Sequence, residues 1–170
     1  MTGSRSQDQS VDVLVEIPRG SRQKYELDKK TGRIRLDRVL FSSVHYPADY
    51  GFVMQTLAGD GDPLDALVVV EEPTFPGCIV PARPIGTLLM SDERGDDEKI
   101  LAVPTGDPRF AEVRDLDDLP KHWLREIETF FATYTDLEDK EPPKIRGWRG
   151  AAVARGLIAQ ARKRAGNGRT

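Results

Sequence analysis

An α+β domain built around an antiparallel sheet is the fold class that three features of the chain predict. Val11-Asp12-Val13-Leu14-Val15-Glu16-Ile17 alternates, with apolar residues at the odd positions, as a half-buried strand does. Short apolar runs at 66–70, 85–90 and 100–103 are punctuated by acidic turns. Toward the end, Trp123, Ile127, Phe130, Phe131 and Tyr134 recur at i, i+4, i+7, i+8 and i+11, one face of a helix. At 170 residues the chain supports one domain with a real core, and an apolar fraction of 38% is enough to fill it.

Taken in order, residues 1–10 are polar, lack the apolar stretch of a signal peptide, and are read as a disordered arm before a domain at 11–160. Glu16 points away from the apolar face of its strand, and Lys24 and Glu26 flank Tyr25 on one side of the next. Lys30-Thr31-Gly32 is a hairpin turn into Ile34-Arg35-Leu36-Asp37-Arg38, where Arg38 shares the parity of Ile34 and Leu36. An inward Arg requires a buried anion. Tyr46-Pro47-Ala48-Asp49-Tyr50-Gly51-Phe52 reads as a turn with two phenols, and Asp117 or Asp118 can cap a helix beginning near Pro120. Val153, Leu157 and Ala161 lie at helical spacing ahead of a basic tail at 161–170.

Asp60-Gly61-Asp62-Pro63-Leu64-Asp65 places three carboxylates within six residues, and its Gly and Pro force a turn. Solvated acidic turns are common, but this is also how a hard, oxygen-seeking cation is held. A calcium-binding helix-loop-helix fails as a reading, because the sixth loop position, which needs Gly, holds Asp65, and the fifth holds Leu64. The apolar run after Asp65 instead makes the turn a strand end. A second acidic turn, Asp92-Glu93-Arg94-Gly95-Asp96-Asp97-Glu98-Lys99, lies between two further strands. Converging carboxylates repel one another unless cations sit among them.

Composition narrows the function. A single cysteine, Cys78, excludes a disulfide framework and is expected to be a small buried hydrophobe. No apolar stretch approaches the roughly 20 residues that cross a bilayer, and nothing directs export, so a cytoplasmic protein without membrane partners is expected. From Pro142 onward there are eight Lys or Arg and no acid, leaving −11 on residues 1–141 against −3 for the whole chain. The basic end suits the C-terminal pole of a helix. Nucleic acid is not an expected partner, because the groove between the acidic turns is strongly anionic.

The order Glu-Ile-Pro, Lys-Tyr-Glu, Asp-Arg, Tyr-Pro-x-x-Tyr-Gly, Asp-Gly-Asp-Pro-x-Asp and Asp-x-x-x-x-Asp-x-Lys, running from about Val11 to Trp148, resembles the soluble family I inorganic pyrophosphatases. Gly-Asp-Asp-Glu-Lys at 95–99 and Gly-Asp-Pro-Arg-Phe at 106–110 look like the actinobacterial branch. The resemblance implies a five-stranded OB-like antiparallel β-barrel flanked by helices, a homohexamer, and magnesium-dependent hydrolysis of pyrophosphate to two phosphates. It further implies that Asp60, Asp65 and Asp97 hold the two ions that activate the attacking water. Asp92, again with Asp97, and the more remote Glu16 and Glu26 would serve ions bridging the substrate. Lys24, Arg38, Tyr50 and Tyr134 would bind phosphate oxygens, with Lys99 pairing with the acidic turn and assisting. Asp62 is the first choice for accepting the water's proton, and Asp97 the competing one.

One departure stands out. The family usually follows its helix tyrosine with Lys, whereas here Tyr134 is followed by Thr135, a gap that Lys144 or a tail residue could fill. A non-catalytic module binding metal or polyanion would keep the same acids and bases, and phosphate release separates it from an enzyme.

Overall fold

Eight strands and two α-helices follow one another along residues 9–167, the part of the chain described by the computed structural model. Apart from Gln9 and Ser10, the arm expected at 1–10 lies outside the described residues. Strand β1 (Val11–Ile17) buries every odd residue, as its alternation predicts. It pairs with β4 (Asp49–Val53) on one side and with β6 (Ile79–Asp92) on the other. Pairings of β4 with β5 (Asp65–Val68), β5 with β7 (Gly95–Pro104) and β7 with β6 then close five strands into a ring. Strand β8 (Lys144–Gly150) is added at β6, while β2 (Gln23–Asp28) and β3 (Arg33–Val39) form a separate hairpin.

The expected antiparallel sheet holds for four of these five pairings; β5 and β7 run parallel. The cause is topological. A closed ring with an odd number of strands cannot alternate direction throughout, so one neighbouring pair must run the same way.

Segment 46–52 departs from its expected turn, because Asp49–Val53 is a ring strand. Gly51 is what misleads. A Cβ there would lie 1.8 Å from the Leu14 carbonyl oxygen, so Gly51 marks the close approach of β4 to β1 instead of a bend. Asp49 is fully buried and fastens the start of the strand, accepting from Arg19 N at 2.8 Å and from the Thr74 backbone and hydroxyl at 3.2 and 2.6 Å.

Two apolar cores use opposite faces of the ring. One draws on Val13 and Val15, Val53, Ala66 and Val68, Val80 and Ala82, and Ile100 and Ala102, and so takes side chains from all five ring strands. The other gathers Leu67, Leu88 and Leu101 under Ile127, Phe130 and Phe131 of helix α1 (Lys121–Thr133). Strands β5 and β7 are therefore covered on both faces, which is why their sequences read as continuous apolar runs.

Helix α1 buries Ile127, Phe130 and Phe131 of its predicted stripe, but neither Asp117 nor Asp118 caps it. Its cap position is Pro120, and the acids belong to a short 3-10 turn at Leu116–Asp118, where Asp115 and Asp118 cap reciprocally. Asp115 Oδ1 also accepts from Ala151 N at 3.2 Å, the first residue of helix α2 (Ala151–Asn167). The buried face of α2 is Ala151, Ala154, Ile158 and Ala161. Of the predicted stripe, Val153 is exposed and Leu157 half-buried, because small residues let the helix approach the first core closely. Cys78 is half-buried against that core, less enclosed than expected.

Gly51→Ala is expected to destabilise the fold by about 3 kcal/mol or more, since the methyl group meets backbone and not a side chain that can move. Denaturant unfolding measures this, and a wild-type midpoint would mean that β1 and β4 can separate at no cost.

Candidate active site

The two acidic turns meet in one cavity of about 260 Å³. The Asp60–Asp65 turn enters β5, and Gly61 in it has φ +89°, a conformation that favours glycine. Asp92 ends β6 and Asp97 lies two residues into β7, so the long β6–β7 hairpin carries its acids to the same place. Glu16 reaches in from the outward side of β1, and Lys24 and Glu26 from β2. Tyr50 on β4 and Tyr134 at the end of α1 complete the wall, with Lys99 beneath.

Of the residues expected at the site, Arg38 alone does not line this cavity. It stays connected through Asp37, whose Oδ2 lies 3.0 Å from Lys24 Nζ and 2.7 Å from Arg38 Nη1. Its strand is also less regular than its parity predicts: Ile34 is half-buried and Leu36 exposed, because β3 belongs to the two-stranded hairpin and has no core beneath it. Lys29, Arg94 and Asp96 line the cavity without having been singled out in the sequence. Arg94 and Asp96 belong to a turn whose other acids drew attention, and Lys29 to a hairpin turn.

Lys99 dominates the electrostatics. Its side chain is 4% exposed, with Nζ 3.0 Å from Asp65 Oδ2 and 3.2 Å from Asp97 Oδ2, and it donates to Tyr50 Oη at 2.8 Å. The ammonium also lies over the rings of Tyr50 and Phe131 at 5.2 and 4.9 Å. Burial pulls its pKa down, but Asp65 and Asp97 more than reverse this and hold it charged. Asp97 is raised by its own burial and by Asp65, against the pull of Lys99. Burial also raises the phenols of Tyr50 and Tyr134, so both stay protonated donors.

Eight carboxylates line the cavity against four cations, Lys24, Lys29, Arg94 and Lys99. Glu16 has its pKa raised to about 7, chiefly by burial and secondarily by Asp65 and Glu26, although Leu27 N donates to it at 2.8 Å. Among the described residues no three Asp, Glu, His or Cys side chains are drawn together tightly enough to hold a metal ion as they stand. The donor set nevertheless fits a hard divalent cation, being all carboxylate oxygen with negative charge in surplus. A larger cavity, about 450 Å³, opens beside Arg19, His45, His122 and Arg125, but Glu126 is its single carboxylate. Chemistry, not size, selects the smaller one.

Thr135, the residue in place of the family's lysine, is 6% exposed and does not line the cavity. Lys144 lies in β8 opposite Ser91, exposed, and does not line it either.

A ring of strands with a carboxylate-rich, phenol-walled pocket and one buried ammonium is the layout of an enzyme that handles a small, highly charged anion. The family model described as inorganic pyrophosphatase matches residues 13–166, and the chain belongs to that family. It is 54% identical over 147 residues to the inorganic pyrophosphatase of Leifsonia xyli, covering 86% of this chain and 90% of that one. With the Streptomyces coelicolor enzyme the identity is 52% over 153 residues, 90% of this chain and 94% of the relative. The crystal structure of inorganic pyrophosphatase from Thermus thermophilus superposes with a TM-score of 0.91 at 42% identity, covering 98% and 96% of the two chains.

The raised Glu16 pKa sets a sign for stability. A group protonated more readily when folded stabilises the fold below its unfolded pKa of 4.5, and that contribution is lost as pH rises through about 7. Protein kept in chelator is therefore expected to melt at lower temperature as pH climbs through this window, and Glu16→Gln to flatten the slope. A level melting temperature in the wild type would mean that Glu16 is as well solvated folded as unfolded.

Proposed function

We infer that this chain hydrolyses inorganic pyrophosphate to two phosphates, and that the observation carrying the reading is the excess of carboxylates around buried Lys99. A small polyanion would not enter so acidic a cavity alone; it needs accompanying cations. Asp60, Asp65, Asp92, Asp97, Glu16 and Glu26 would hold these, and magnesium is the proposed metal because every donor is a hard oxygen. Bound there, divalent cations would neutralise the crowded acids, screen the substrate's charge and make a water acidic enough to attack near neutral pH.

The chain's own groups then divide the work. Water attacks one phosphorus, the bridging P–O bond breaks, and the water's proton must be taken up. Asp62 is proposed as the acceptor. Among the described residues its carboxylate is held only by Lys29 at 3.5 Å, both side chains largely exposed, whereas Asp97 is engaged by Lys99. Asp62 thus keeps lone pairs free to receive a proton. Tyr50 already accepts from Lys99, which leaves its own proton free for a phosphate oxygen. Tyr134 would donate similarly, Lys24 would act as a point charge, and Arg38 would bind through its planar fork.

The fold is proposed to be an OB-like barrel, the assembly a homohexamer and the compartment the cytoplasm. Family resemblance supports these three assignments, and no helix among the described residues is long and apolar enough to cross a membrane.

Phosphate release from magnesium pyrophosphate tests the activity, and excess chelator is expected to abolish it; full release in chelator would overturn the metal requirement. Asp65→Asn and Asp97→Asn are each expected to slow turnover by about 10² or more, since each removes charge from a shared site. Asp62→Asn should keep metal affinity in a calorimetric titration while lowering turnover by on the order of 10². Lost metal affinity there would make Asp62 a ligand and pass the base role to Asp97.

A further inference from the structure

Arg38 needed a buried anion, and the structure supplies one from 100 residues further along the chain. Glu138 is 6% exposed at its side chain, with Oε1 3.0 Å from Arg38 Nη2 and Oε2 accepting from the same nitrogen at 3.3 Å. Asp37 takes the other end of the guanidinium, through Nη1 at 2.7 Å. Two acids from separate parts of the chain therefore hold both terminal nitrogens. Among the described residues Arg38 Nε is buried without an acceptor, so the group keeps an unused donor.

The backbone around Glu138 is fixed. Tyr134 N donates to Phe130 O at 2.8 Å, Asp136 N to Thr133 O at 3.0 Å, and Glu138 N to Thr135 O at 2.9 Å, a run of turns that joins the carboxylate to the end of α1. Tyr134, at the start of those turns, lines the cavity. Arg38 by contrast sits on the β2–β3 hairpin, outside the ring. The Arg38–Glu138 pair thus ties a hairpin bearing Lys24, Glu26 and Arg38 to the helix end bearing Tyr134.

We propose that Glu138 is a positioning residue: its buried carboxylate fixes the plane and place of the Arg38 guanidinium so that this fork meets a phosphate group of the substrate. The inference rests on the reading that Arg38 binds phosphate. A planar fork rewards orientation more than a point charge does, so losing its anchor weakens binding while the arginine is still present. Glu138 also repels phosphate through space, and that effect has the opposite sign. Anchoring dominates because Arg38, its side chain 22% exposed, already balances the charge of Glu138, and Lys140 Nζ lies 3.8 Å from the same carboxylate.

The test is a double-mutant cycle with two readouts, steady-state kinetics on magnesium pyrophosphate and calorimetric binding of inorganic phosphate in the presence of magnesium. Glu138→Ala is expected to raise KM by about tenfold and Glu138→Gln, which keeps the shape and one acceptor, by about threefold, each leaving kcat within about twofold. Phosphate affinity should fall in parallel. In an Arg38→Ala background, Glu138→Gln should add less than about twofold, because the partner through which it acts is gone. Thermal melts accompany every variant, and Glu138→Gln carries the test if the alanine variant does not fold. An unchanged or lowered KM in Glu138→Gln, or an equal effect with and without Arg38, overturns the positioning role. If Arg38→Ala itself leaves KM and phosphate affinity unaltered, the phosphate assignment of Arg38 fails, and that outcome is distinct from the other two.

Discussion

Lys99 joins four elements that the sequence keeps far apart. Its ammonium, on β7, meets Asp65 at the start of β5, Asp97 on its own strand, the hydroxyl of Tyr50 on β4 and the ring of Phe131 on α1. An ammonium this deeply enclosed is tolerated only because two carboxylates and a phenol replace its water. Removing either carboxylate would leave the buried ammonium underpaired, although Asp65 and Asp97 themselves stay partly exposed. The ammonium also sets the spacing of the site, because Asp65 and Asp97 are held to a common centre, with Asp60 and Asp62 on the turn and Asp92 at the end of β6 around them.

That arrangement requires a scaffold that can absorb repulsion. Glu16 and Asp97 are both raised, first by burial and then by neighbouring acids, so the site concentrates unfavourable charge. The ring offsets it. Val13, Val15, Leu67, Ile100 and Leu101 are fully buried, and each such side chain contributes roughly 1.5–3 kcal/mol relative to exposure. Apart from Glu26 on the hairpin, the acids of the site sit at or near the ends of ring strands or on their outward faces, clear of the two apolar cores. Cations that relieve the repulsion would tighten the fold and prepare the site together.

Much of this was legible because it lives in local sequence. The alternation of β1, the acidic turn before β5 and the aromatic stripe of α1 each involve residues within one or two turns or strands of each other. Gly51 was misread because a glycine that permits close strand approach looks, in sequence, like one that permits a bend. The single parallel pairing was invisible because it follows from ring closure, a property of all five strands together. Asp115, which caps a 3-10 turn and also receives the first N–H of α2, makes its second contact 36 residues away. The motifs name residues that, Arg38 apart, line one cavity, yet which charged groups pair with which could only come from distances.

Thr135, where the resemblance implies a lysine, has a structural role of its own. Its side chain is buried and its backbone oxygen receives Glu138 N, so this position now serves the turn that delivers Glu138 to Arg38. A lysine here would have to carry its ammonium out from a nearly closed position. On the proposed reading, Lys24, Arg38 and the two protonated phenols are the donors for phosphate. Lys24 and Arg38 share Asp37, whose carboxyl burial pushes up but the two cations bring below its ordinary range, so it stays a shared counter-ion across neutral pH. Neither cation is therefore free to swing independently of the other.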